Sequence, residues 1–218
     1  MKRCAGPFAA RLVVMVKAPR CGLVKTRLAR TLGAVAAAAF YRHATSATVA
    51  RIGRDRRWRT LLAVAPDADA AGPFWPRHLQ RKAQGGGDLG HRMQRLFDVL
   101  PPGPVVIVGS DVPGIHPGHV AAAFRAIGSH DAVFGPAADG GYWLIGLRRR
   151  PRVPRAFRGV RWSHEQTLAD NVAALAGLRI AKIVTLADVD VAADLDTARD
   201  AGRVVCTLPV AHKSYSRV

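Results

Sequence analysis

The chain has 218 residues, 49% of them hydrophobic, which suits one domain with a substantial core. No apolar run approaches the length needed to cross a bilayer. Lysine and arginine number 33 against 15 aspartate and glutamate, a formal net charge of +18 that favours anionic partners. With 6% aromatic residues and no recognisable motif, the composition argues against a dedicated nucleic-acid reader.

Residues 12–16 (Leu12-Val13-Val14-Met15-Val16) form a short β-branched run that reads as a buried strand. A basic loop follows, Lys17-Ala18-Pro19-Arg20-Cys21-Gly22-Leu23-Val24-Lys25-Thr26-Arg27-Leu28, and leads into a Leu- and Ala-rich stretch, 26–52, that reads as helix. Lys17, Arg20, Lys25 and Arg27 therefore gather where a strand ends and a helix begins, the place where open α/β sheets bind ligands. The loop is no Walker A motif, because Val24 stands before Lys25-Thr26 where that motif needs glycine.

Residues 60–65 read as a second strand and 66–76 as a loop. Gly85-Gly86-Gly87 is a turn, and Asp88 caps a helix over 89–100. Residues 105–108 form the strongest strand, followed by Gly109-Ser110-Asp111-Val112-Pro113. Helix is expected over 116–127. Strands at 132–134 and 142–147 flank Gly135-Pro136-Ala137-Ala138-Asp139-Gly140-Gly141, with Asp-Gly as a hairpin signal. Tyr142 and Trp143 offer planar faces for a sugar or base, and one of the two is expected to face the core. A helix over 163–176 would start with Ser163 as N-cap and Gln166 completing a capping box. Residues 179–185 read as strand and 194–201 as helix. The basic runs at Arg54, Arg56, Arg57 and Arg59 and at Arg148, Arg149 and Arg150 read as solvated connections.

This alternation implies a three-layer α/β/α domain with a mostly parallel central sheet. No repeat or linker divides it, so a single domain is expected over 1–206, with a loose tail over 207–218. Cys4, Cys21 and Cys206 are odd in number and far apart, and no CxxC occurs, which points to a reduced, cytoplasmic setting without disulfide or zinc.

Asp111, at the end of the strongest strand, suits a hard cation such as Mg²⁺ or Mn²⁺ that would neutralise a pyrophosphate held on its far side by the basic loop. Asp188-Val189-Asp190 offers a further pair of carboxylates. Asp139 lies at the mouth of two strands, where Gly140-Gly141 lets backbone approach a ligand.

Taken in order, Met15-Val16-Lys17-Ala18-Pro19 through Lys25-Thr26-Arg27-Leu28, Gly87-Asp88-Leu89-Gly90-His91-Arg92-Met93, Gly109-Ser110-Asp111-Val112-Pro113, Asp139-Gly140-Gly141-Tyr142, Trp162-Ser163 and Asp188-Val189-Asp190 resemble the bacterial DUF-type transferases of the nucleotide-diphospho-sugar transferase superfamily. Some members are associated with arsenosugar biosynthesis, and the superfamily includes molybdenum-cofactor guanylyltransferases. The resemblance implies a GT-A fold and a glycosyltransferase that uses a nucleotide sugar and a small-molecule acceptor. Nucleotidyl transfer from an NTP, with release of pyrophosphate, is the alternative. It further implies phosphate binding by Lys17, Arg20, Lys25 and Arg27, with Gly86, Gly87 and Asp88 near the base or ribose. Asp111 would hold the metal, with Asp190 as second ligand. Asp139 would serve as general base, with Gly140, Gly141 and Tyr142 facing the acceptor. Two positions depart from the group's pattern, which usually has Thr where this chain has His164 and Val191. Where typical GT-A glycosyltransferases carry Asp-x-Asp, this chain has the single carboxylate of Gly109-Ser110-Asp111. A non-catalytic anion binder driven by charge is the reading from another class.

Overall fold

The computed structural model describes residues 8–150 and 152–186. In chain order the elements are β1 (Arg11–Lys17), α1 (Thr26–Leu32), α2 (Ala34–Gly53), β2 (Arg59–Ala65), a 3-10 turn (Asp67–Ala71), β3 (Gln80–Ala83), α3 (Leu89–Val99), β4 (Val105–Gly109), α4 (Pro117–Ser129), β5 (Ala132–Pro136), β6 (Tyr142–Leu147), α5 (Thr167–Ala174) and β7 (Ile180–Lys182). The expected helix over 194–201, Asp188, Asp190 and the 207–218 tail lie outside the described residues.

Among the described residues the sheet has seven strands in the order β3-β2-β1-β4-β6-β5-β7. All neighbours run parallel except β6, which is antiparallel to both β4 and β5. The mostly parallel α/β architecture is the expected one. Successive side chains of a strand point to opposite faces, and here both faces are covered. Leu12, Val14 and Val16 of β1, with Val106 and Val108 of β4, pack beneath Val49 and Ile52 of α2 and Val120, Ala123 and Ile127 of α4. Val13, Val105 and Ile107 face the other way, against Met93, Leu96 and Phe97 of α3. Coverage on both sides is why these strands read as unbroken apolar runs.

Three details differ from the sequence expectation. The helix over 26–52 is two helices, broken at Gly33, whose φ of 84° lies in the region that favours glycine. β3 was not expected, because Gln80-Arg81-Lys82 has no apolar alternation; it is a short, charged, exposed edge strand. The fifth helix begins at Thr167 rather than Ser163, so Ser163 is not its N-cap; the Gln166 side chain instead accepts from Arg161 at 2.5 Å.

The arginine runs also do more than face water. Arg149 donates to the carbonyls of Leu100, Pro101 and Gly103 and ties β6 to the loop before β4. Arg57 pairs with Asp55 at 2.6 Å and lies over the Trp58 ring.

Phe134, fully buried in β5, meets Tyr142 edge-on at 5.2 Å between ring centroids. Truncation to Phe134→Ala is expected to cost about 3–5 kcal/mol, the range for deleting a core aromatic, read as a lower urea midpoint with an unchanged slope.

Candidate active site

Parallel pairing of β1 with β2 and β4 brings their C-terminal ends to one edge of the sheet, with Met15 level with Gly109 and Lys17 level with Ala65. A cleft of about 590 Å³ opens there. Its lining includes Lys17, Lys25 and Arg27 from the basic loop, Arg92 from α3, and Ser110 and Asp111 from the loop after β4. Tyr41, Gln84, Leu89 and Ser163 complete much of the wall.

Lys25 Nζ lies 2.8 Å from Asp111 Oδ2, with side-chain exposures of 5% for the lysine and 38% for the aspartate. The cation and the carboxylate thus touch, where sequence reasoning set them on opposite flanks of a pyrophosphate. One residue earlier, the Tyr41 hydroxyl accepts from the Lys17 amide at 2.8 Å and shares a 3.0 Å hydrogen bond with Ser110 Oγ. Burial raises the Tyr41 pKa, so the phenol stays protonated. Lys25 (φ 47°) and Ser163 (φ 55°) are the two non-glycine residues at positive φ among the described residues, and both line the cleft. Such conformations persist where surrounding contacts over-determine them, and they cluster at functional sites.

Arg20 is placed elsewhere. It makes a two-point contact with the buried Asp69, at 2.9 and 2.5 Å, and holds that carboxyl below its ordinary pKa. It is not among the cleft's lining residues and pins the basic loop to the 3-10 turn. Gly86 and Gly87 form the turn before α3, where Arg95 donates to the Gly86 carbonyl and Arg92 to the Gly87 carbonyl. Asp88 caps α3 as expected, accepting from the His91 amide at 2.8 Å. Backbone and ring contacts from His91 lower its pKa.

The hairpin of Asp139, Gly140, Gly141 and Tyr142 joins β5 to β6 at the same sheet edge, since Val108 faces Leu144 in the register. None of the four is among the cleft's lining residues. Asp139 Oδ1 accepts from the Gly141 amide at 2.9 Å. Gly140 has φ 85°, and a Cβ there would overlap the Glu165 carbonyl. Its glycine character therefore serves packing against the 161–167 turn. Tyr142 and Trp143 are both taken up by packing, because the sheet is covered on both faces. Trp143 donates to the Val184 carbonyl at 3.1 Å, and the Tyr142 phenol, its pKa raised by burial, lies 3.5 Å from Asn171. Neither offers the ligand-facing ring that the sequence suggested.

Tyr41 and Gln84 have no place in the sequence reading, and Ser110 enters it only as part of Gly109–Pro113. Gln84 is buried and donates its amide to the carbonyls of Val16 and Ala63, holding the ends of β1 and β2. Arg92 was legible only as a member of the Gly87–Met93 motif.

Among the described residues no three His, Cys, Asp or Glu side chains cluster closely enough to hold a metal ion. Asp111 fits the pattern of Mg²⁺, which takes one or two protein carboxylates and completes its shell from substrate phosphates and water. The other expected ligand, Asp190, lies outside the described residues.

The family model described as "Uncharacterized protein conserved in bacteria (DUF2064)" matches residues 48–164. The chain belongs to this family. It is the DUF-type group that the order of motifs indicated. A provisionally assigned nucleotide-diphospho-sugar transferase from Desulfovibrio desulfuricans G20 is 33% identical, with a TM-score of 0.72, over 84% of this chain and 82% of that one. The expected enzyme class, a transferase, is the class of that neighbour. Two more distant structures share the fold. 4-Diphosphocytidyl-2C-methyl-D-erythritol synthase from Anaerococcus prevotii DSM 20548 is 10% identical, with a TM-score of 0.58 over 92% of this chain and 98% of that one. The manganese complex of Rv0371c from Mycobacterium tuberculosis is 16% identical, with a TM-score of 0.51 over 87% and 97%. A search of curated proteins gave no significant match. Among the described residues no helix is long and apolar enough to cross a membrane.

Two stability outcomes follow from this geometry. Gly140→Ala is expected to lower the thermal midpoint clearly, whereas Gly86→Ala, where a Cβ meets nothing within 4 Å, shifts stability by no more than about 0.5 kcal/mol. Arg161 grips Asp170 through three nitrogens at 2.7–3.0 Å and lowers its pKa from 3.8 to about 2. A depressed carboxylate contributes stability above its unfolded pKa and loses it as pH falls through the folded one. Urea midpoints of Asp170→Asn are therefore expected to lie below wild type above about pH 4 and to converge with it toward pH 2.

Proposed function

We propose that the chain is a nucleotide-dependent transferase. It holds a nucleoside diphosphate sugar by its phosphates in this cleft and passes the glycosyl group to a small acceptor. The observation that carries this reading is the convergence of Lys17, Lys25, Arg27 and Arg92 with Asp111 on one cleft at the C-terminal edge of β1 and β4. The name of the Desulfovibrio neighbour supports it.

In the transfer, the bond from the anomeric carbon to the phosphate oxygen breaks and the bond to the acceptor oxygen forms. The nucleoside diphosphate leaves with the electron pair. Negative charge grows on the departing phosphate, and cations fixed in advance around it stabilise that change more than they stabilise the resting donor. Among them, Lys25 has a nearly buried side chain held against Asp111. Asp111 would hold Mg²⁺ or Mn²⁺ together with the donor phosphates; the ion would act as a Lewis acid on the leaving group. We assign the acceptor's hydroxyl proton to Asp139, which does not line the cleft itself but sits on the hairpin that packs, through Gly140, against the 161–167 turn bearing Trp162 and Ser163, with its carboxylate held by the Gly141 amide. Arg20, paired with Asp69, supports the loop and so acts on phosphate only through its shape.

A second reading, nucleotidyl transfer from an NTP with release of pyrophosphate, draws on the same groups. Two observations favour it: Gly109-Ser110-Asp111 supplies one carboxylate, and the excess of cations in the cleft suits the higher charge of a triphosphate.

Thermal-shift titration with nucleoside diphosphate sugars and with NTPs, each with Mn²⁺, separates the readings. A ligand at about 100 times its Kd adds roughly 2.7 kcal/mol, or about 5–10 °C for a chain of this size. Nucleotide sugars are expected to stabilise the protein. Stabilisation by NTPs alone, with pyrophosphate released, replaces glycosyl by nucleotidyl transfer. Asp111→Asn keeps an oxygen for Lys25 to donate to but not the charge that faces the ammonium, so it is expected to fold with a lowered thermal midpoint and, assayed below that midpoint, to lose roughly 10²–10³ in turnover, the scale for removing one charge-stabilising group.

A further inference from the structure

A second groove of about 600 Å³ lies beside the cleft, and its lining includes Asp88, Gly90, His91, Phe157, Arg158 and Trp162. The two spaces share a wall. Leu89 and Arg92 of α3 line the cleft, while Gly90 and His91 line the groove; Ser163 lines the cleft, while Trp162 lines the groove. The two spaces therefore lie on adjoining faces of the first turns of α3 and of the turn at 162–163.

The groove is constructed rather than incidental. Phe157 and Trp162 are neighbours, with ring centroids 6.1 Å apart, and Phe157 stacks on the buried Phe97 at 6.2 Å. The Trp162 ring and the Phe157 side chain approach α3 closely because residue 90 is glycine: a Cβ there would come 2.6 Å from the Trp162 ring and 2.9 Å from Phe157 Cβ. The turn bearing Trp162 is clamped by the Arg161–Asp170 pair and backed by Gly140 of the hairpin. On the rim, Arg158 is exposed, and Arg155 is paired with Asp98 at 2.8 Å. Asp88 fixes the His91 ring through Nδ1 at 2.8 Å. A half-buried aromatic floor with a guanidinium at its edge matches a flat ring that carries an anionic group.

We propose that this groove is the acceptor site, and that the acceptor is a small anionic molecule with a planar ring. The ring lies against Trp162 and Phe157, and its carboxylate or phosphate meets Arg158. This rests on the transferase reading of the adjoining cleft.

Trp162 reports on the groove directly, because the other three tryptophans, Trp58, Trp75 and Trp143, are buried. The probe is p-nitrophenyl phosphate, which combines a flat ring with a dianion and quenches indole emission. Saturable quenching is expected in the wild type, absent in Trp162→Phe and about tenfold weaker in Arg158→Glu, the loss of one charge-assisted contact. Quenching that does not saturate, that survives in Trp162→Phe, or that Arg158→Glu leaves unchanged overturns the proposal. Nucleotide-sugar stabilisation is read in parallel on the same variants. If no nucleotide stabilises the wild type, the transferase reading fails on its own measurement, whatever the quenching shows.

Discussion

Two contacts one residue apart fasten the loop after β1 to the loop after β4, and the rest of the site depends on them. Tyr41 joins the Lys17 amide to the Ser110 hydroxyl, and Lys25 joins Asp111. An ammonium as buried as that of Lys25 is costly unless a carboxylate faces it, and removing the partner of such a pair costs more than the pair is worth. The same burial makes the lysine a fixed charge at the mouth of the cleft. A donor phosphate arriving there meets a cation whose desolvation cost was met during folding, which is the condition for strong electrostatic stabilisation. The left-handed backbone of Lys25 belongs to the same arrangement, because the ion pair helps hold a conformation that an isolated lysine would avoid.

The arginine-rich composition takes on a different meaning in the folded chain. Arg11, Arg51, Arg95 and Arg149 each donate to main-chain carbonyls that loops leave exposed. Arg20, Arg57 and Arg161 are bound to aspartates. These arginines act as staples between segments of the chain, distinct from the cations that line the cleft. A net charge of +18 on its own suggested a broadly anion-binding surface; the hydrogen-bond pattern gives several of those cations structural partners as well.

The central strands were legible because they are covered on both faces, so β1, β2 and β4 are continuous runs of apolar, mostly β-branched residues. β3 was not, because an edge strand needs only backbone pairing and carries charge outward. Gly33 could not be read as a break, since an isolated glycine within a Leu- and Ala-rich stretch is compatible with one helix or two. In the site, Lys17, Lys25 and Asp111 were legible as charged groups at strand ends, a location that topology alone makes functional. Tyr41 and Gln84 were not, because one reaches the cleft from the middle of α2 and the other from beyond an unrecognised strand. Arg20 looked like its neighbours until its partner, Asp69, 49 residues onward, was in view. The aromatics of the hairpin misled for a similar reason: alternation sends them to opposite faces, and helices cover both.

The most direct test of the account is a crystal structure of the protein with a nucleoside diphosphate and Mn²⁺. Phosphate oxygens are expected within about 3 Å of the side-chain nitrogens of Lys17, Lys25 or Arg27, with anomalous density for manganese at the Asp111 carboxylate. Phosphates bound instead at another face, such as the arginine cluster at 148–150, with no phosphate or manganese against Lys25 or Asp111, would contradict it.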